Sequence, residues 1–544
     1  MKKVIICLLI VVSASQYSCK KFLDITPIDK LTGNNFYQST EDIEANITDM
    51  YGMLFDKYTR TAFAGATGEF RSGEVVPAVQ GGEGRYGTAR LGGHTRIAPN
   101  PNGNTEKQSI PITTVNDRTL LEAVRNTPPP NQTPWAGYRF WDLTIWNEYY
   151  RVIQSANILV SKLEEGIPAL NEQQTKRYIA EAKFIRCFCY LTMVRLYGDV
   201  IYYTKAFQKD PLPRENMVSV ITKCIADLKP NYKDLPLTMT DPSLRGVRAT
   251  QGAAIGLLMN MNMWNAGFDL PNRNAYWTET AILGEEIMKS GAFRLLPLTE
   301  WATVAKGRSE ESLFELFRTL NYNNDLNNPF EQSYAYSPFG DAFIHFPYKQ
   351  PEYTHRYSFN VFTEDYMMKL YGGDSGDQRL VVWFVAPFDQ NPETFQLRKF
   401  ALNTFIDANR PDLDLNPDNT YLIMRYSDAI LLRAEALANL SNDADATTVL
   451  NELRVMRGAA AYPANPYSGL KEAIFWERAK ELMGEGSRYF DLVRTRRVLS
   501  KQFTDNPLTS DKFNRGGWTW PINESALTNN PYMTLNNYWI GTGL

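Results

Sequence analysis

Apolar residues recur at helical spacing in block after block of this 544-residue chain, and that repetition restricts it to a mainly α-helical fold. Ile43, Ile47, Met50 and Leu54 form one stripe behind Ser39-Thr40-Glu41-Asp42, a capping box. Trp141, Ile145, Tyr149, Val152, Ala156 and Leu159 form a second. Residues 172–197 are apolar around much of the circumference, with Phe184, Phe188 and Leu191 on one side and Gly198 as the stop. Val218, Ile221, Ile225 and Leu228 mark a helix before Pro230, and shorter ones fit 249–266 and 275–290. Residues 421–440, 444–457 and 470–484 repeat the pattern near the C-terminus. Helices alternating with short turns predict a scaffold of stacked helical hairpins of the solenoid kind, with degenerate repeats. Cys187 and Cys189 fall on different faces of their helix and cannot bridge, so they and Cys224 read as buried thiols.

Two long stretches break the rhythm. Residues 65–134 are rich in Gly, Pro, Asn and Thr, and 294–420 mix aromatics with Asn, Asp and Pro, with strand-like fragments at Ser312–Phe317 and Leu380–Phe384. Loops this long are functional or disordered, and their aromatics argue against disorder. The helical scaffold is thus expected at about 36–60, 141–291 and 421–485, and ligand-binding elaborations in the two irregular stretches. Aromatic residues make up 13% of the chain, including 30 tyrosines and 11 tryptophans, and many lie where no regular element can use them.

The N-terminus carries a targeting signal. Lys2 and Lys3 precede an apolar run from Val4 to Val12, small and polar residues lead to Cys19, and Lys20-Lys21 follow. The run is too short to span a bilayer, which takes about 20 residues. Residues 1–18 read as a signal peptide, with Cys19 the lipidated first residue of a membrane-anchored protein occupying 19–544 as a single domain. The formal net charge of −3 gives no basic footprint, which argues against nucleic acid as a partner.

Catalytic motifs fail on inspection. Gly82-Glu83-Gly84-Arg85-Tyr86-Gly87 spells GxGxxG, but Pro77 interrupts the preceding strand and Gly92-Gly93 interrupts the following helix. Gly373-Asp374-Ser375-Gly376 reads as a turn; Asp374 and Asp377 make a structural calcium ion the one weak cofactor candidate. His94, His345 and His355 are the full histidine complement, with no metal-ligating cluster and no GxSxG. No carboxylate pair stands out for glycoside hydrolysis. The chain is expected to be no enzyme. Arg425, Glu435, Arg478, Glu481 and Asp491 read as charge pairs that lock helices together.

The motifs Arg425-Tyr426-Ser427-Asp428, Leu431-Leu432-Arg433-Ala434-Glu435-Ala436, Leu450-Asn451-Glu452-Leu453-Arg454, Glu477-Arg478-Ala479-Lys480-Glu481-Leu482 and Gly486-Ser487-Arg488-Tyr489-Phe490-Asp491 occur in that order. Upstream stand Phe22-Leu23-Asp24, Phe36-Tyr37-Gln38-Ser39 and Glu181-Ala182-Lys183-Phe184-Ile185-Arg186. As an ordered set they resemble the SusD/RagB family of glycan-binding outer-membrane lipoproteins. The resemblance implies a mainly α, tetratricopeptide-like helical hairpin scaffold, a SusD-like α-superhelix, that captures an oligosaccharide at the cell surface and delivers it to a SusC-like TonB-dependent transporter without cleaving it. A peptide- or glycopeptide-binding lid of such a transporter is the alternative. Glu74-Val75-Val76-Pro77 resembles the approach to an aromatic-rich loop in relatives, but here Gly81 to Tyr86 contains no tryptophan. Arg85, Tyr86 and His94 are therefore the candidate ligand contacts of the first irregular stretch, and Tyr334, Tyr336 and Phe339 those of the second. Trp135 is open to ligand contact or core packing.

Overall fold

The computed structural model describes residues 36–59, 63–77, 96–99, 105–108, 143–319, 343–349, 352, 356, 358, 360–374, 376–405, 416–464, 467–523, 526–528, 530–536 and 538–539. Helix α1 (Thr40–Thr59) starts at the expected box: Ser39 Oγ accepts from the Asp42 N–H at 3.2 Å, and the Asp42 carboxylate accepts from the Ser39 N–H at 2.8 Å. Ile43, Ile47, Met50 and Leu54 are all buried. Two short helices follow, α2 (Phe63–Thr67) and α3 (Glu69–Ser72), then strand β1 (Val75–Pro77) and a hairpin of β2 (Arg96–Pro99) with β3 (Thr105–Gln108).

The central helices are α4 (Asn147–Glu165), α5 (Glu172–Tyr197), α6 (Met217–Leu228), α7 (Gln251–Phe268) and α8 (Arg273–Lys289). Each packs on the next in the chain, and α1 packs on α4. Helix α5 begins with a full capping box between Asn171 and Gln174. It ends at Gly198, whose φ of 74° and N–H bond to the Val194 carbonyl close the last turn. Seventeen of its residues are buried, which explains its weak sidedness in sequence: α5 is enclosed by α1, α4 and α6. Cys187, Cys189 and Cys224 are buried free thiols. Ile145, expected in the second stripe, precedes α4 rather than joining it.

After α9 (Trp301–Lys306) come β4 (Ser312–Leu316), β5 (Asn360–Phe362), α10 (Glu364–Tyr371) and α11 (Gln378–Trp383). The Leu380–Phe384 stretch is therefore mainly helix; its strand content is confined to β6 (Phe384–Val385), paired with β7 (Gln396–Leu397). A small pair joins β8 (Thr404–Phe405) and β9 (Asn416–Pro417). The expected helix at 421–440 divides into β10 (Tyr421–Arg425), paired antiparallel with β4, and α12 (Tyr426–Asn439). Tyr421, Leu422 and Met424 are buried on the strand, and an apolar run of this kind suits either state until a partner strand is present. The C-terminal helices are α13 (Asp443–Met456), α14 (Leu470–Glu481), α15 (Arg488–Arg494) and α16 (Ser510–Asn514). Helix α12 links the two halves of the scaffold, packing on α7 and α8 as well as on α13 and α14. Among the described residues no helix is long and apolar enough to cross a membrane.

Candidate functional site

The two irregular stretches are rooted side by side. Strand β1 belongs to the first and β5 to the second; they pair antiparallel, Val75 opposite Phe362 and Pro77 opposite Asn360. Phe343, also in the second stretch, stacks on Phe362 with ring centroids 5.0 Å apart and planes 3° from parallel. It also meets Phe70 of α3 and Phe395. The 386–395 loop joins the same root, because Gln390 Nε2 donates to the Phe362 carbonyl at 2.8 Å. Offset aromatic packing of this kind contributes about 0.5–1.5 kcal/mol per pair beyond area burial. Three excursions of the chain therefore leave from one aromatic base.

Polar and aromatic groups crown that base. His345 is buried, its N–H bonded to Gln396 Oε1 at 3.0 Å and its Nδ1 2.8 Å from the Phe346 carbonyl. Desolvation lowers its pKa, so the ring is neutral near pH 7. Phe346 and Phe388 are each 37% exposed, unusual for phenylalanine on a folded chain. Tyr348 lies under the Arg398 guanidinium, 5.8 Å from the ring centroid, and its hydroxyl accepts from Arg398 at 2.7 Å. Flat apolar faces beside guanidinium and amide donors are what a sugar ring requires, since it presents C–H faces and a polar rim.

The base is fixed to the helical frame by charge. Glu74, immediately before β1, is fully buried and bonded by Arg488 of α15 at 3.0 Å; Arg488 in turn lies over Tyr366, Phe475 and Trp476. Burial raises the Glu74 pKa against the pull of Arg488, and burial lifts Glu69 to about 7. Behind this lies a larger network. Glu311, Asp374, Asp377, Glu477, Glu481 and Glu485 meet Arg379, Lys399, Arg425, Arg454, Arg457 and Lys480, six charges against six, nearly all with side chains out of contact with solvent. Glu481 is the hub, taking bonds from Arg379 at 3.0 Å, Arg425 at 3.1 Å and Arg457 at 2.8 Å. Desolvation pushes its pKa up, but Arg457 and Arg425 outweigh this and hold it well below the usual carboxylate range. Lys399 donates to the Glu481 and Met483 carbonyls and to Glu485; burial brings its pKa down to about 8. A second cluster joins Arg478 to Asp428 and Asp491, and Arg494 to Asp491 and Glu435. The expected locking charges are thus present.

The fold is shared with proteins of known class. A family model described as the SusD family matches residues 355–539, a span that includes every member of the six-against-six network except Glu311. A second, described as starch-binding and associating with the outer membrane, matches residues 98–262. The crystal structure of a SusD homolog from Bacteroides thetaiotaomicron superimposes with a TM-score of 0.75 at 30% identity, covering 93% of this chain and 99% of that one. The chain belongs to the SusD family. SusD-like protein P38 of Formosa agariphila is 24% identical over 553 residues, 95% of each chain. A laminarin-binding SusD-like protein shares the fold with a TM-score of 0.64 at 20% identity, over 92% of this chain and 99% of that one.

Within this SusD-family frame, the residues expected to touch ligand (Arg85, Tyr86, His94, Trp135, Tyr334, Tyr336 and Phe339) lie outside the described residues, as do Cys19 and the GxGxxG stretch. Their attachment points are described. Tyr86 is nine residues beyond Pro77 and Phe339 four before Phe343 along the chain. Asp374 and Asp377 are already occupied: Asp374 accepts from Arg454, Lys480 and the Ala460 N–H, and Asp377 from the Arg379 side chain and N–H. A calcium ion there would have to displace buried guanidinium groups. Among the described residues no group of three or more His, Cys, Asp or Glu is arranged to hold a metal. Phe346, Tyr348 and Arg398 were not singled out by sequence. Only their place just after the aromatic Tyr334–Phe339 stretch hinted at a role, and the Arg398 partnership comes from the β6–β7 pairing.

Proposed function

We propose that this SusD-family chain binds an oligosaccharide without cleaving it, on a surface built where its two aromatic-bearing stretches leave the β1–β5 root. It then hands the glycan to a SusC-like TonB-dependent transporter, while a lipid on Cys19 holds it to the outer membrane, facing outward. The observation that carries the reading is the convergence of both stretches on one aromatic base beside exposed Phe346 and the Tyr348–Arg398 pair. The laminarin-binding relative and the starch-binding family description support a saccharide as the ligand class. A few stacked rings give roughly −4 to −6 kcal/mol, an affinity from tens of micromolar to millimolar. Weak capture suits a protein that must release its cargo.

Calorimetric titration of the full-length protein in detergent against a panel of neutral oligosaccharides tests this. The reading expects saturable binding with no new reducing ends after long incubation. Turnover would make the protein a hydrolase; binding of peptides or glycopeptides with silence across the glycan panel would replace the glycan by a peptide cargo.

A further inference from the structure

A cleft of about 260 Å³ opens between the end of α7, the start of α8, the end of α12, the start of α14 and the Arg494–Arg497 turn. It shares no lining residue with the aromatic base, and its charge is unlike that of the rest of the frame. Arg494 in its wall is neutralised by Glu435 and Asp491. Three further cations, Arg273, Lys471 and Arg496, line it without a carboxylate partner among the described residues, and Arg497 joins them under only the through-space pull of Glu435, Glu472 and Asp491. Arg273 donates only to the Leu270 carbonyl at 3.1 Å and lies over Trp277, also in the wall, at 5.7 Å. Arg497 is sandwiched against Phe475 and Phe503, at 4.4 and 5.0 Å, and Arg496 lies over Phe513 at 5.3 Å.

Nearby carboxylates are engaged elsewhere. Asp269 accepts from Asn272 and Tyr276, and Glu472, next to Lys471, from Ser468 and Trp476. The contrast with Arg379, Arg425, Arg454 and Arg457, each held by buried acids, is sharp. Like charges gathered in a concave site repel one another unless an anion joins them, and arginine's planar fork matches sulfate, phosphate and carboxylate oxygens. Trp277 adds a ring to stack on, and the volume lies at the small end of ligand pockets, enough for about one sugar unit.

We propose that this cleft is a second, anion-selective subsite that takes a sulfate, phosphate or carboxylate group carried on a sugar ring. It extends the glycan reading to charged saccharides but stands on separate residues, so substitutions at Tyr86 and in the cleft report on the two independently.

The test is calorimetric titration of the full-length protein in detergent with galactose 6-sulfate, galactose and sodium sulfate, at low and at 0.3 M salt. The variant is Lys471→Gln combined with Arg496→Asn. Both side chains are exposed and without hydrogen bonds among the described residues, and Asn accepts the left-handed φ of 60° at position 496. The expected result is binding of the sulfated sugar that galactose does not match and sodium sulfate matches only weakly. It should fall about tenfold or more in the double variant and weaken with salt, at unchanged melting temperature. Equal binding of galactose 6-sulfate by the variant, equal affinity for bare sulfate, or no binding at all would overturn the proposal. So would binding confined to phosphatidylglycerol vesicles, which would assign the cleft to a lipid headgroup.

Discussion

Replacing Glu481 with Gln tests whether the buried network is the lock of the frame. Glu481 accepts from Arg379, Arg425 and Arg457, and its removal as a charge leaves six buried cations facing five acids. An amide keeps the shape and one acceptor oxygen, but its NH₂ group points donors at guanidinium donors. Breaking a buried ion pair on one side costs about 3–5 kcal/mol, because the stranded charge stays out of water. Unfolding entropy of about 2.1 cal/mol/K per residue, over roughly 500 residues, is about 1 kcal/mol/K, so the melting temperature should fall by about 3–5 °C. Circular dichroism melts of the variant, beside exposed Glu164→Gln as control, read this directly. A shift within 1 °C of the control would refute the reasoning and show that the network relaxes or admits water at little cost.

Other outcomes follow from the same geometry. Asp491→Ala should lower the melting temperature by a similar amount and leave oligosaccharide affinity unchanged; lost binding at unchanged stability would move Asp491 from frame to site. Desolvation raises the Asp491 pKa, but Arg478 and Arg494 prevail and set it at about 2. Its contribution is therefore present above about pH 4 and lost as pH falls through 2, a step that acid titration of Asp491→Asn should lack. Glu69 and Glu315 have pKa values lifted to about 7 by burial. The folded state holds their protons longer than the unfolded one, so their contribution is full below about pH 4.5 and fades as pH rises through 7. Melting temperature measured at pH 5.5 and 8 should favour the lower pH, and Glu69→Gln with Glu315→Gln should flatten the difference. Cys19→Ala should release the protein from the membrane fraction; retention there would contradict the lipid anchor.

Much of the frame was readable because its signals are local. The Ser39–Asp42 box, the Gly198 stop and the apolar stripe of α1 each lie within about three turns of one helix. The charge pairs were readable as a class, since Arg425, Glu435, Arg478, Glu481 and Asp491 fall within the helical motifs of the C-terminal part. Their partners were not: Asp374 and Asp377 look like a turn in sequence, and only the fold delivers Arg454 and Lys480 to them. Non-local pairing caused one misreading, and an unread local cap the other. Tyr421–Arg425 becomes a strand because β4 lies beside it, and Leu380–Trp383 becomes a helix because Asp377 caps it. The β1–β5 root joins residues far apart in the chain, so no window of sequence contains it. Tyr348 and Arg398 meet through that same kind of long-range contact.

The most direct test of the account is a double-mutant cycle on oligosaccharide affinity with Tyr86→Ala and Tyr348→Ala, one residue from each stretch rooted at β1 and β5. If both stretches build one surface, each substitution weakens the same oligosaccharide by about tenfold, with melting temperature unchanged. If either single variant binds that oligosaccharide as the unaltered protein does, the shared surface is contradicted.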